Sequence, residues 1–175
     1  MFVAVSFLLA APLPATAAEI SFACDPASCI FAGSQVLDVY VNVDATTVDL
    51  RGATLSLDFD PSIVHPIAVE PGALLAGSSC SWFFMWLNQA TPGDGHIDVD
   101  LGGLGCSVDG PGTIIHLQFT GVNPGSSPLT CASLIMRDSL NQTLDSTCVG
   151  GLLTYEIAVP AEPLSWGLLK SRYRD

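Results

Sequence analysis

The sequence predicts an all-β fold, an antiparallel β-sandwich of nine or ten short strands. Three observations carry this expectation. Apolar residues recur with period two in one segment after another, the spacing of a strand with one buried face. Turn signals interrupt the chain at short intervals: Asp60-Pro61, Glu70-Pro71-Gly72, Pro92-Gly93-Asp94-Gly95, Gly110-Pro111-Gly112 and Asn123-Pro124-Gly125. With 16 Gly and 12 Pro in 175 residues and no sustained heptad, the chain lacks room for the helical crossovers that a parallel sheet needs.

The elements follow in order. Residues 1–18 carry no charge, and the apolar run 2–11 is broken by Pro12 and Pro14 before Ala15-Thr16-Ala17-Ala18. This is the pattern of a secretory signal peptide cut after Ala17 or Ala18, and the run is too short to span a bilayer as a helix. No integral span is expected in the mature chain. A strand is expected over residues 20–24. Leu37, Val39, Val41 and Val43 then alternate with Asp38, Tyr40 and Asn42. Leu55, Leu57 and Phe59 alternate with Thr54, Ser56 and Asp58, and Ile97, Val99 and Leu101 with His96, Asp98 and Asp100. Ile115, Leu117 and Phe119 alternate with Ile114, His116 and Gln118. Further strands are expected over 63–69, 80–87, 129–136, 143–148 and 152–159. Pro160-Ala161-Glu162-Pro163 marks a boundary, so that residues 19–160 form the domain and 161–175 a tail outside it.

Charge and cysteine content narrow the function. Acids outnumber bases 17 to 5, a net charge of −12, which excludes nucleic acid as a partner because little here neutralises phosphates. Residues 19–160 hold fifteen acids and two bases, and three of the five bases, Lys170, Arg172 and Arg174, lie in the tail. Six Cys in an exported domain read as disulfides rather than as a metal site. Cys80 and Cys106 are each thirteen residues from Gly93, and Cys131 and Cys148 are placed symmetrically about Ser139-Leu140. Residues equidistant from a hairpin turn face each other. The expected pairs are therefore Cys80–Cys106, Cys131–Cys148 and, closing a small loop at Asp25-Pro26, Cys24–Cys29.

Several segments, taken in order, resemble the cohesin domain, the receptor module of cellulosome scaffolds. They begin at Val39-Tyr40-Val41-Asn42-Val43 and are most specific over residues 50–61, where a strand ends in Phe59-Asp60-Pro61. Val69-Glu70-Pro71-Gly72-Ala73-Leu74-Leu75, Gly95-His96-Ile97-Asp98-Val99 and residues 112–119 continue the match. Gly125-Ser126-Ser127-Pro128-Leu129, Asp138 and Gly150-Gly151-Leu152 close it. The resemblance covers roughly residues 35–159. It implies an antiparallel jelly-roll β-sandwich of about nine strands and the binding of a calcium-loaded dockerin module through one sheet face. Related domains of the superfamily bind polysaccharide. The six Cys and the single module depart from the cellulosomal pattern.

Candidate sites are few. Thr54, Ser56 and Asp58 on one strand and Asp98 and Asp100 on another are outward-facing and form the candidate partner-binding set. Ser81-Trp82-Phe83-Phe84-Met85-Trp86-Leu87 is apolar on both parities, although a sheet with one wet side alternates. Either Trp82, Phe84 and Trp86 form an exposed strip that stacks on sugar rings, or the strand is covered on both sides. Asp94, Asp98 and Asp100 lack the calcium-loop spacing of an EF-hand and read as a solvated acidic strand. His65, His96 and His116 stand in no metal-ligand spacing, and no nucleophile elbow, phosphate loop or H-E-x-x-H motif occurs. No catalytic residue, metal or cofactor is expected. In the tail, Trp166, Leu169 and Tyr173 share a helical face with bases between them, similar to short tails on some secreted bacterial proteins. The sequence thus points to a secreted, non-catalytic cohesin-like module, extracellular or at the cell surface, whose partner is a dockerin-like protein module. The alternatives are a carbohydrate-binding module for polysaccharide and a structural surface domain.

Overall fold

The computed structural model describes residues 17–88 and 94–158. The expected signal peptide as far as Thr16, the centre of the turn at 91–93, the boundary at Pro160 and the tail 161–175 lie outside them. Two sheets pack face to face. The five-stranded sheet has the order β11(Ser146–Cys148), β1(Ala18–Asp25), β3(Val36–Val43), β8(Gly112–Gly121), β5(Val64–Pro71). The seven-stranded sheet runs β2(Ile30–Ala32), β12(Gly151–Glu156), β9(Gly125–Arg137), β4(Gly52–Asp58), β7(His96–Gly103), β6(Trp82–Asn88), with the short β10(Thr143–Leu144) also paired to β9. The chain crosses repeatedly between the sheets, which makes the sandwich a jelly roll. All pairings are antiparallel except β1 with β11 and β12 with β2, which are parallel at the sheet margins.

The core is what the alternation dictates. Leu37, Val39 and Val41 from β3, Leu55 and Leu57 from β4, Ile97 and Val99 from β7, and Leu117 and Phe119 from β8 are all essentially solvent-free. The Phe119 ring meets Phe59, just beyond β4 in the other sheet, edge to face at 5.7 Å. The two layers are therefore joined by an aromatic contact as well as by aliphatic packing.

Four local features differ from the sequence expectation. Ile114, expected outward, is fully buried, because a bulge between Val41 and Asn42 of β3 shifts the register and turns two successive β8 residues inward. The turn at Pro71-Gly72 runs into a single helical turn, α1(Ala73–Ala76), which seats Leu75 in the core. Gly72 is required there by crowding, since a Cβ would stand 2.3 Å from the Thr113 carbonyl oxygen. The expected strand over 143–148 is split into β10 and β11, which pair in different sheets. The three-residue β2 was too short to show a period.

Two disulfides tie the layers together and a third closes a strand pair within one of them. Cys131 of β9 and Cys148 of β11 are bridged across the two sheets, with Cα atoms 6.4 Å apart. Cys24, at the end of β1, is bridged to Cys29, which immediately precedes β2 of the opposite sheet, at 5.2 Å. Cys80 and Cys106, at 6.0 Å, close the β6–β7 pair at the end away from its turn.

Candidate functional site: the outer face of the seven-stranded sheet

Thr54, Ser56, Asp58, Asp98 and Asp100 converge on the outer face of the β9-β4-β7-β6 sheet. The register sets cross-strand rows: Leu87–Asp98–Ser56–Ser133, then Met85–Asp100–Thr54–Ile135, then Phe83–Gly102–Gly52–Arg137. Hydroxyls and carboxylates pair along these rows. The Thr54 hydroxyl donates to Asp100 at 2.6 Å, Ser56 donates to Asp98 at 2.5 Å, and Ser133 donates to Ser56 at 3.0 Å. These bonds fix the carboxylates in place on rigid strands rather than on loops.

His96 belongs to the same face: the alternation places it outward with Asp98 and Asp100, but no metal-ligand spacing marked it and it stands outside the candidate set. Its parity, two residues before Asp98, is the signal that places it there. Its Nδ1 lies 2.5 Å from Asp58 and its Nε2 3.1 Å from Asp98. Two carboxylates on the two ring nitrogens favour the imidazolium, in which both nitrogens donate. The hydrogen bond to Asp58 is the main cause raising the His96 pKa above 6.5; partial burial opposes it and the Asp98 charge reinforces it. A raised folded-state value means that this site stabilises the fold fully below about pH 6.5, and that the contribution is lost as pH rises through the folded-state value. His96→Gln is therefore expected to cost more at about pH 6 than at about pH 8. Urea midpoints of both proteins at the two pH values test this; parallel pH profiles would contradict it.

The aromatic segment resolves differently from either reading made of it. Trp82, Phe84 and Trp86 point inward and pack on the core, and the Trp82 indole N–H donates to Ser78 Oγ at 2.9 Å. They do not form an exposed sugar-stacking strip. Nor is the strand covered on both sides: Phe83, Met85 and Leu87 are 49%, 41% and 48% exposed, and Ile135 of β9 is 43% exposed on the same face. An apolar row thus borders the hydroxyl–carboxylate rows, on an edge strand. The sequence named the segment, but both parities being apolar left its direction undecided.

The opposite face is built otherwise. At the centre of the five-stranded sheet Tyr40 stacks on His116 at 5.0 Å, and Asp38 accepts from His116 at 2.7 Å and Gln118 at 2.9 Å. The Gln118 hydrogen bond, with that of His116, holds the Asp38 carboxyl below its ordinary range despite partial burial. Among the described residues no group of three or more His, Cys, Asp or Glu is placed to hold a metal ion. No helix among them is long and apolar enough to cross a membrane.

No protein-family model matches the chain, and no curated protein matches it. Solved structures do. A non-cellulosomal cohesin from the hyperthermophilic archaeon Archaeoglobus fulgidus superposes with a TM-score of 0.63 at 13% identity, over 91% of this chain and 100% of that one. The second type II cohesin module of the ScaA scaffoldin of Acetivibrio cellulolyticus gives 0.67 at 9% identity, over 78% and 96%. A type I cohesin–dockerin complex from Clostridium thermocellum, Coh-OlpA with Doc918, gives 0.65 at 15% identity, over 81% and 100%. Identities this low establish the fold alone. The chain has the cohesin fold, a jelly-roll β-sandwich.

Proposed function

We propose that the chain is a non-catalytic receptor module that docks a dockerin-type protein module on the outer face of its seven-stranded sheet. The observation that carries this reading is the exposed row Phe83, Met85, Leu87 beside Asp98, Asp100, Thr54 and Ser56 on rigid strands. An apolar row beside fixed polar groups supplies the two kinds of contact, apolar burial and hydrogen bonding, that a protein interface combines. The structural kinship with cohesins solved in complex with dockerins supports the same reading. A partner of net positive surface charge is favoured, since the chain carries −12 and Asp58, Asp98 and Asp100 share the face.

The setting we propose is extracellular or cell-surface, with an N-terminal export signal cut after Ala17 or Ala18, the docking domain from there to residue 160, and 161–175 as an appendage. The three disulfides suit an oxidising compartment. A signal cut after Ala17 keeps Ala18, whose side chain is buried and whose N–H donates to the Asp145 carbonyl at 2.8 Å.

Titration calorimetry against a panel of calcium-loaded dockerin modules, with and without chelator, tests the proposal. At least one module is expected to bind, and binding is expected to be lost on chelation. Met85→Asp is expected to weaken it at least about tenfold, roughly 1.4 kcal/mol. Ile67→Asp, at an exposed position of β5 in the other sheet, is expected to leave it unchanged. Silence across the panel, or equal losses from the two substitutions, would remove the reading.

A further inference from the structure

We propose that a trough between Arg51 and Arg137, at one end of this face, receives an acidic side chain, Asp or Glu, of the docked protein. The inference deepens the docking reading and rests on it.

The trough is made by what is missing. In the row Phe83–Gly102–Gly52–Arg137 the two central strands both place glycine outward. A Cβ on Gly102 would meet nothing within 4 Å, so packing does not demand glycine there; its absence leaves the surface open. The resulting depression is lined by Arg51, Gly52, Gly102, Gly103, Arg137 and Asn141, together with the acidic residue Asp138.

Its charge is the exception in an acidic molecule. Arg51 and Arg137 are the two Lys or Arg residues among the described residues, and both line this one depression. Among the described residues every ion pair within 4.0 Å is made by a histidine, so neither guanidinium is in direct contact with a carboxylate, although the Arg51 charge is felt by Asp49. Backbone carbonyls orient them instead. Arg51 donates to the Ser139 carbonyl at 3.0 Å and to that of Gly103 at 3.4 Å; Arg137 donates to the Asn141 carbonyl at 3.2 Å. Most of the five donors on each fork remain free for a ligand.

The nearby acids are otherwise engaged. Asp138 accepts from the backbone N–H groups of Leu140 at 2.9 Å and Gln142 at 2.7 Å. Asp49 accepts from the hydroxyls of Ser107 and Ser139, the main causes that hold its pKa low, with the Ser139 N–H and the Arg51 charge adding to them. Two preoriented guanidinium groups, neither in direct contact with a carboxylate, stand beside an open slot and match a carboxylate, which a planar fork grips through two parallel hydrogen bonds. Elsewhere the face repels acids through Asp58, Asp98 and Asp100, so an acidic residue on a partner is accepted at one place only and fixes its register.

The test is a nuclear magnetic resonance titration of the folded domain with two probes, N-acetyl-glutamate α-amide and N-acetyl-glutamine α-amide. The glutamate probe is expected to shift the Gly52, Gly102 and Gly103 amides and the arginine Nε–H signals along a saturating curve. The glutamine probe is expected to be without effect. Arg137→Gln, exposed and with unchanged Tm, is expected to weaken the response at least tenfold. Equal shifts from both probes, or a response centred elsewhere, overturn the inference. With a dockerin that binds, Arg137→Gln is expected to lower affinity at least fivefold; unchanged affinity overturns the role of the trough while docking stands. Specific binding of the glutamate probe with no dockerin bound across the panel overturns the docking reading while upholding the carboxylate chemistry of the trough.

Discussion

Phe119→Ala is expected to remove about 3–5 kcal/mol of folding stability, the usual cost of deleting a buried phenyl ring from a core that cannot collapse around the gap. Three observations put this position near the top of that range. The side chain is fully buried. On β8 it stands in register between Leu37 of β3 and Pro66 of β5, in the middle of the five-stranded sheet. Its ring also reaches the other layer through the edge-to-face contact with Phe59, so the cavity opens between the sheets and no single strand can shift to close it. Domains of this size hold only about 5–15 kcal/mol in total. The variant is expected to melt roughly 10 °C or more below the parent, and Phe119→Leu to lose distinctly less. Urea unfolding monitored by tryptophan fluorescence checks both. A loss below about 1 kcal/mol in Phe119→Ala would mean that the sheets are not clamped at this point.

The same core explains what could be read from the chain and what could not. Leu55, Leu57, Ile97, Val99 and Leu101 alternate with polar residues, so their inward direction and the outward direction of Thr54, Ser56, Asp98 and Asp100 follow from parity, although Ser56, hydrogen-bonded between Asp98 and Ser133, is itself buried. That parity also carried the candidate face and placed His96 on it, but the partners that make His96 part of the site, Asp58 and Asp98, depend on the pairing of β4 with β7. Period two is silent where both parities are apolar. At Trp82–Leu87 it could not say that the tryptophans turn in and Phe83, Met85 and Leu87 turn out, because that choice belongs to the pairing of β6 with β7. Ile114 was misplaced for a related reason: a bulge inserts one residue and resets the parity, and nothing local in the sequence marks it. The trough between Arg51 and Arg137 lay beyond sequence reading altogether, since the two residues are brought together by the pairing of β4 with β9.

Removing the Cys80–Cys106 bridge as the double Ser variant is expected to cost about 3.5 kcal/mol, against about 3 for Cys131–Cys148 and about 2 for Cys24–Cys29. The order follows the sequence separations of 26, 17 and 5, because a longer closed loop removes more freedom from the unfolded chain. The first bridge has a consequence the others lack. It anchors the start of β6, an edge strand that among the described residues pairs with β7 alone, and β6 carries Phe83, Met85 and Leu87. Its loss should loosen the apolar side of the face, so amide exchange along residues 82–88 is expected to rise well above what the global loss of stability produces. Exchange in β9 and β4 should follow the global change only. In the Cys131–Cys148 variant the pattern reverses: β11 and its parallel partner β1 exchange faster, while β6 remains as protected as overall stability allows. If the three variants lose stability equally, loop closure is not the source of the effect. If β6 exchanges no faster than β4 once Cys80 and Cys106 are gone, the edge strand is held by Trp82, Phe84 and Trp86 on the core, and the bridge is dispensable to the face it borders.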